Sequence, residues 1–298
     1  MSKPFVSILM NCFNGEKYLE EAINSVINQT YNDWELIFWD NESTDNSEKI
    51  IKNYKDHRIQ YFKSQSHTSQ YEARNKGLEK CSGELIAFLD VDDWWDENKL
   101  EKQIKLFEDN EVGFSCTNSW IINERKSKKK HIAFKNIYSG EVLKQLFEKD
   151  FITMSSLIVR KSTIKKLDFV FNPQYEIIGD FDLVIRLSII SKLGGINEPL
   201  TYYRWHENNL TYKKTKLNSI ELLILLDKLK KKEIFFKNKN FELFKNNVLF
   251  YKAIIFILEG KRFAAFREIF NMSKILHIIK LLVSLCLPVK LIIKIRSQ

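Results

Sequence analysis

Four short apolar runs separated by longer amphipathic ones fill the first third of the chain, and this alternation constrains the fold more than any other feature. Residues 5–10, 34–39, 59–62 and 85–89 have strand length, whereas 16–28, 45–54 and 69–80 carry apolar residues at helical spacing. The order βαβαβαβ predicts a parallel sheet covered by helices, because strands laid parallel need crossover connections that pack on the sheet. Ligands on such a sheet sit outside the carboxyl ends of its strands. The positions of interest are therefore 11–15, 40–45 and 90–93.

Beyond residue 95 the pattern is weaker. A helix is expected over 96–108, with candidate strands at 112–116, 120–122, 132–134 and 156–159. The basic stretch 125–130 reads as a solvated hairpin loop. A helix beginning near Gly179 is expected over 180–190, with Leu183, Val184, Leu187 and Ile190 on its apolar face and Asp182 four residues before Arg186. After Asn209 the chain is rich in Lys, Leu, Ile and Phe with almost no Gly or Pro, and several helices are expected there.

At 298 residues and 44% hydrophobic, the chain has enough apolar material for one large domain or two smaller ones, which excludes disordered and disulfide-scaffold classes. Four unpaired cysteines point to free thiols in a reducing compartment, and the first residues show no export signal. Charge is unevenly placed. Residues 213–298 hold 19 Lys/Arg against 6 Asp/Glu, while residues 1–212 hold 28 against 32. A basic tail on a mildly acidic body favours a polyanionic surface, either nucleic acid or anionic lipid. Between Lys280 and Lys290 the longest uncharged run is 281–289, too short to span a bilayer. The segment 274–287 gathers Lys274, His277, Lys280 and Ser284 on one helical side and apolar residues on the other, before Pro288.

The strongest chemical signal is FLDVDDWW, residues 88–95, in which an apolar strand delivers Asp90, Asp92 and Asp93 to its carboxyl end. Clustered carboxylates repel one another, so a Mg²⁺ or Mn²⁺ ion is one reason to gather them. Capping of the following helix is the other. Asn11 and Phe13 follow the first strand and Asp40 the second. A carboxylate there can accept from a uracil imide or a ribose hydroxyl, and an aromatic ring can stack on a base. Arg74, within YEARNKG, suits phosphate or a base edge, or a surface ion pair. Trp94 and Trp95 offer a platform for a sugar ring or belong to the core.

Together, VSILMNCFNGEKYLEEAINSVINQTY, ELIFWDNESTD, EARNKG, GELIAFLDVDDWW and IIGDFDLVIRLS resemble the family-2 glycosyltransferases over roughly residues 5–206. The resemblance implies an α/β fold of GT-A (Rossmann-like) type, a mixed sheet flanked by helices. It places the catalytic domain over 1–212 and a basic helical extension over 213–298. By position it implies that Asn11, Phe13 and Asp40 lie at the nucleoside, and that Arg74 lies near the base or phosphates. Asp90 would meet the ribose or donor sugar, and Asp92 would ligate a Mn²⁺ or Mg²⁺ ion. Asp180 matches the catalytic base. The family often has an acidic pair there, whereas this chain has Gly179, so Asp182 stands as the alternative base. Tyr202 to His206 resemble the family's closing aromatic and Arg-x-His segment, whose histidine approaches the metal or is structural.

The implied partners are a nucleotide-sugar donor, UDP-linked, and a glycan or lipid-linked acceptor in bacterial surface-polysaccharide synthesis. The tail would meet an anionic membrane surface, placing the protein in the cytoplasm at the inner face of the membrane; nucleic acid is not expected as a partner. A haloacid-dehalogenase-like phosphatase also uses Asp-x-Asp, but on its first strand and with Thr or Val where Trp94 stands. A non-catalytic sugar-nucleotide module would require lost catalytic positions, yet Asp90, Asp92 and Asp180 are all present.

Overall fold

The computed structural model describes residues 5–124, 129–207, 209, 215–231 and 240–296. Its backbone begins with β1 (Val6–Cys12), α1 (Leu19–Ile27), β2 (Trp34–Asp40), α2 (Ser47–Asn53), β3 (Ile59–Lys63), α3 (Gln70–Leu78) and β4 (Leu85–Phe88). β1 pairs in parallel with β2 and β4, and β2 with β3. β1 and β2 are buried on both faces and mainly apolar because helices cover both sides, with Ser7 donating to Glu35 between them. Ile8, Met10, Leu36 and Phe38 pack there with Leu19, Ala22, Ile23 and Val26 from one face of α1.

The sheet then turns mixed. Next come β5 (Trp94–Trp95), α4 (Lys99–Ile104), β6 (Val112–Asn123), β7 (Lys129–Ile132), α5 (Leu143–Glu148), β8 (Ile158–Arg160), α6 (Lys161–Ile164), α7 (Gly179–Ile190) and β9 (Lys192–Trp205). Strand order is β3-β2-β1-β4-β8-β6-β9-β5, with β7 on β6. β8 runs antiparallel to β4 and β6, while β9 runs parallel to β6 and antiparallel to β5. This mixed α/β sheet flanked by helices is the arrangement the resemblance implied.

Three local expectations change. The separate strands at 112–116 and 120–122 form one strand, β6, with register shifts around Asn118; the Asn118 side chain bonds the Phe134 carbonyl and the Ser119 and Phe134 amides, which stabilises the irregularity. The helix over 96–108 shortens to α4 followed by a 3₁₀ turn at Lys105–Glu108. β9 is not among the strands expected from the sequence, because Gly194, Gly195 and Pro199 are poor strand formers. A Cβ at Gly195 would lie 2.1 Å from the Tyr138 carbonyl oxygen, so close backbone approach requires glycine in this strand. Of the basic stretch 125–130, residues 125–128 lie outside the described residues; its flanks pair as β6 and β7.

The chain forms two compact units. The first comprises residues 1–143 and 151–209 and contains the sheet. The second comprises 144–150 and 210–298; in it Phe147 stacks on Phe244 with centroids 5.2 Å apart. Its helices are α8 (Thr215–Lys230), α9 (Phe241–Leu258), α10 (Arg262–Arg267), α11 (Ile275–Cys286) and α12 (Val289–Arg296). Leu249, Ala253, Ile257, Ala265, Leu281 and Ile292 form its core. Among the described residues no helix is long and apolar enough to cross a membrane, and all four cysteines are free thiols.

Candidate active site

Parallel strands β1, β2 and β4 end on the same side of the sheet, so the segments that follow them gather at one rim. Asn11 ends there with both amide atoms buried and no hydrogen-bond partner among the described residues, an unsatisfied group that a bound polar molecule can complete. Phe13 is half exposed and lies 4.1 Å, centroid to centroid, from the ring of His67. Asn14, in a left-handed turn, accepts from the Thr44 amide and so ties the loop after β1 to the loop after β2. Asp40 is fully buried, accepting from the Ser43 amide at 2.7 Å and the Tyr61 hydroxyl at 2.9 Å. A carboxylate offers about four acceptor directions, so capacity remains beyond those two bonds.

The aspartate cluster splits into distinct environments. Asp90 accepts from the Arg74 guanidinium at 2.5 Å, and Arg74 is almost wholly buried in α3. Asp92 Oδ2 faces His206 Nε2 at 3.0 Å. Asp93 instead turns inward, accepting from the Ser155 hydroxyl and the Arg204 amide. Burial, followed by the charges of Asp92 and Asp90, pushes the Asp93 carboxyl well above the ordinary range. Asp93 therefore anchors the loop to β9.

Arg204 supports this arrangement from behind. Its Nε donates to the Asp92 carbonyl at 2.9 Å, Nη1 donates to Glu124 at 2.8 Å, and Nη2 pairs with Glu21. Its guanidinium lies over Tyr18 and Trp94, and Tyr18 donates to Glu124 at 2.6 Å. Trp94 also stacks on Tyr202, with centroids 5.0 Å apart, so its ring is engaged within the protein. Trp95 is core, donating to the Ser155 carbonyl.

At the start of α7, Asp180 and Asp182 diverge, as residues about 200° apart on a helix must. Asp182 is buried and paired with Arg186, which also donates to the Phe169 and Val170 carbonyls. Asp180 looks toward Arg74 and Asp90, and its Oδ1 accepts from the Phe181 amide at 2.8 Å. Desolvation raises the Asp180 pKa, an effect opposed by Arg74 and the Phe181 amide and reinforced by Asp90. Tyr203 faces the same carboxylates, and burial together with Asp93, Asp92, Asp90 and Asp180 raises its phenol strongly.

The structure thus brings Arg74, Asp90, Asp92, His206 and Asp180 to one region of the first unit, with Asn11 at the adjoining strand end and Phe13 and Asp40 toward the β2 side. Sequence reasoning missed Tyr71, His67, Ser155 and the Glu21–Glu124 support of Arg204. They lie far apart along the chain and belong to no local motif.

A carboxylate oxygen beside an imidazole nitrogen suits Mn²⁺ or Mg²⁺. Among the described residues no group of three or more His, Cys, Asp or Glu could hold an ion. Asp92 and His206 together would offer two ligands to an ion that takes the rest from phosphate and water.

The profile of Glycosyl transferase family 2 matches residues 7–167. The chain is 38% identical over 144 residues to the Escherichia coli UDP-Glc:alpha-D-GlcNAc-diphosphoundecaprenol beta-1,3-glucosyltransferase WfgD, covering 48% of this chain and 57% of that one. It is 34% identical over 278 residues to an uncharacterized glycosyltransferase of Methanocaldococcus jannaschii, covering 87% and 88%. Thus the chain spans little more than half the length of WfgD but most of the archaeal protein. Its fold is similar to S. aureus TarS 1–349, with a TM-score of 0.63 at 14% identity over 81% of this chain and 71% of that one. It is also similar to the mannosyltransferase PcManGT from Pyrobaculum calidifontis in complex with GDP-Man and Mn²⁺, with a TM-score of 0.60 at 15% identity over 95% and 80%.

Proposed function

Because the chain belongs to glycosyl transferase family 2, we propose that it transfers a sugar from a UDP-linked donor to a hydroxyl of a glycan or lipid-linked acceptor, inverting the anomeric carbon. The observation that carries this reading is the grouping of Arg74–Asp90, Asp92–His206 and Asp180 at one rim of the sheet. Asp180 takes the proton of the acceptor hydroxyl as its oxygen attacks, and the raised pKa suits it to that role. Arg74 pairs with Asp90 and orients it toward the donor. Asn11, with its unsatisfied amide, and Phe13, with its exposed ring, receive the nucleoside, and Asp40 accepts from the uracil imide. A Mn²⁺ or Mg²⁺ ion held by Asp92 and His206 would neutralise the departing diphosphate.

Two relatives support the donor and acceptor classes. WfgD and WfaP of E. coli are both named as transferring from UDP-Glc to a diphosphoundecaprenol-linked sugar. The second unit serves as the membrane contact, with its basic tail toward anionic lipid at the cytoplasmic face. On α11, Ile275, Leu276, Ile279, Leu282 and Val283 are exposed along one side, with Lys274 and Lys280 beside them. Bacterial surface polysaccharide is the product class.

Metal-dependent hydrolysis across a panel of UDP-, GDP- and dTDP-sugars tests the reading, because slow transfer to water needs no acceptor. The expected result is release of UDP on adding Mn²⁺. Hydrolysis restricted to GDP-sugars, or none with any sugar nucleotide that binds, would contradict it.

A further inference from the structure

We infer that Tyr71 is the positioning residue for the Asp180 carboxylate and that Gly179 exists to admit its ring; the inference rests on Asp180 being the base. Tyr71 is 1% exposed in α3 and stacks on Phe171, with ring centroids 5.5 Å and planes 17° apart. From there its hydroxyl reaches the first turn of α7. It donates to the Ile177 carbonyl at 2.9 Å, receives the Asp180 amide at 3.4 Å and stands 3.4 Å from Asp180 Oδ1.

The first amides of a helix have no partner within it. Here Tyr71 supplies one from a different helix and Asp180 Oδ1 supplies the next, to Phe181. The phenol gives its one proton to Ile177 and holds the Asp180 backbone as an acceptor, while the Phe181 amide fixes Oδ1, and a carboxylate with one oxygen fixed has its plane set. Oδ2, which no described residue engages, is left for the acceptor hydroxyl. A general base gains from such fixed orientation because proton transfer needs hydrogen-bond geometry at the moment of attack.

Gly179 completes the arrangement. A Cβ there would lie 2.6 Å from Cε2 and Cζ and 2.8 Å from Cδ2 of Tyr71. The ring is wedged against Phe171 and cannot swing away as a flexible surface chain would. The phenol thus fills the space into which an acidic side chain at 179 would project, which gives a physical reason for the departure from an acidic pair.

The test uses the full-length enzyme and the nucleotide-sugar found active in the donor panel. Tyr71→Phe keeps the ring and removes the hydroxyl, and should lower kcat about tenfold with donor KM unchanged. In an Asp180→Asn background the same change should cost nothing further. Loss of activity in Asp180→Asn with Tyr71→Phe equal to wild type would overturn the positioning role alone. A full additional loss in the double variant would also overturn it, whereas activity retained in Asp180→Asn would overturn the base assignment itself. A thermal-unfolding cycle needs no donor: Gly179→Ala should lower Tm by several degrees when Tyr71 is present and have little effect beside Tyr71→Ala. Equal losses in both backgrounds would refute the steric coupling.

Discussion

His206 Nε2 lies 3.0 Å from Asp92 Oδ2 and so joins the end of β9 to the loop that follows β4. The two residues are 114 positions apart and meet because β9 runs alongside β6 and β5 toward the same rim. Asp92→Asn and His206→Ala should each weaken Mn²⁺ binding in the presence of UDP at least ~10-fold, as removal of a ligand does. Calorimetric titration of Mn²⁺ reads this directly, and wild-type affinity in both variants would remove these residues from the metal site.

Arg204 is 5% exposed and holds three chain segments at once through Glu21, Glu124 and the Asp92 carbonyl. Arg204→Met removes the guanidinium from Glu21, Glu124 and the Asp92 carbonyl and should destabilise the fold by about 3 kcal/mol, the scale for breaking a buried pair from one side. Denaturant unfolding measures it. A change below ~0.5 kcal/mol would make the network a solvated surface cluster instead.

The regular part of the fold was legible because parallel strands buried on both faces are mostly apolar, as β1 and β2 are apart from the bonded pair Ser7 and Glu35 and the polar residues at their carboxyl ends. Asp90 and Asp92 stood out because carboxylates clustered at a strand end carry a local signature, and Asp180 through its position in the family resemblance. β9 did not, since its glycines and proline serve close approach and register shifts that only the neighbouring chain explains. Tyr71 escaped notice for a similar reason: its spacing in α3 is that of an ordinary core aromatic, and its hydroxyl finds Asp180 only after 109 residues of intervening chain. The helix around 274–287 was readable as amphipathic, but its polar residues do not all face water. His277 bonds Asn247 while Ile275 and Leu276 are exposed, because Leu281 belongs to the core of the second unit.

Lys99 is fully buried, bonded to Gln103 and set over the ring of Trp95. Burial pulls its pKa down from 10.5 to about 7. The unfolded amine keeps its proton up to 10.5, whereas the folded one releases it above about 7. Across that window the unfolded state binds more protons, so stability from this group rises with pH. Lys99→Met should flatten the rise between pH 7 and 10.5 in denaturant unfolding. Parallel pH profiles for the two proteins would refute the depressed amine.

Exposed Ile279 and Leu282 on α11 are placed to enter a lipid interface beside Lys280. The double change Ile279→Glu and Leu282→Glu adds charge without touching the core residue Leu281. It should reduce flotation with vesicles containing anionic lipid by at least ~10-fold while the fold persists. Unchanged flotation would refute lipid contact by this face of α11.

Asp180, and not Asp182, is the residue proposed to remove the acceptor proton. Asp182 is already spent on Arg186, with 2.9 Å from Nε to Oδ2, whereas Asp180 faces Arg74 and Asp90 in the site. With the active nucleotide-sugar, kcat and donor affinity measured for Asp180→Asn and Asp182→Asn separate the two. Asp180→Asn is expected to lower kcat at least ~10²-fold with donor affinity nearly unchanged, and Asp182→Asn to lower Tm while keeping most of its turnover. A folded Asp180→Asn enzyme that keeps its rate, beside a folded Asp182→Asn enzyme that loses it, would contradict the account.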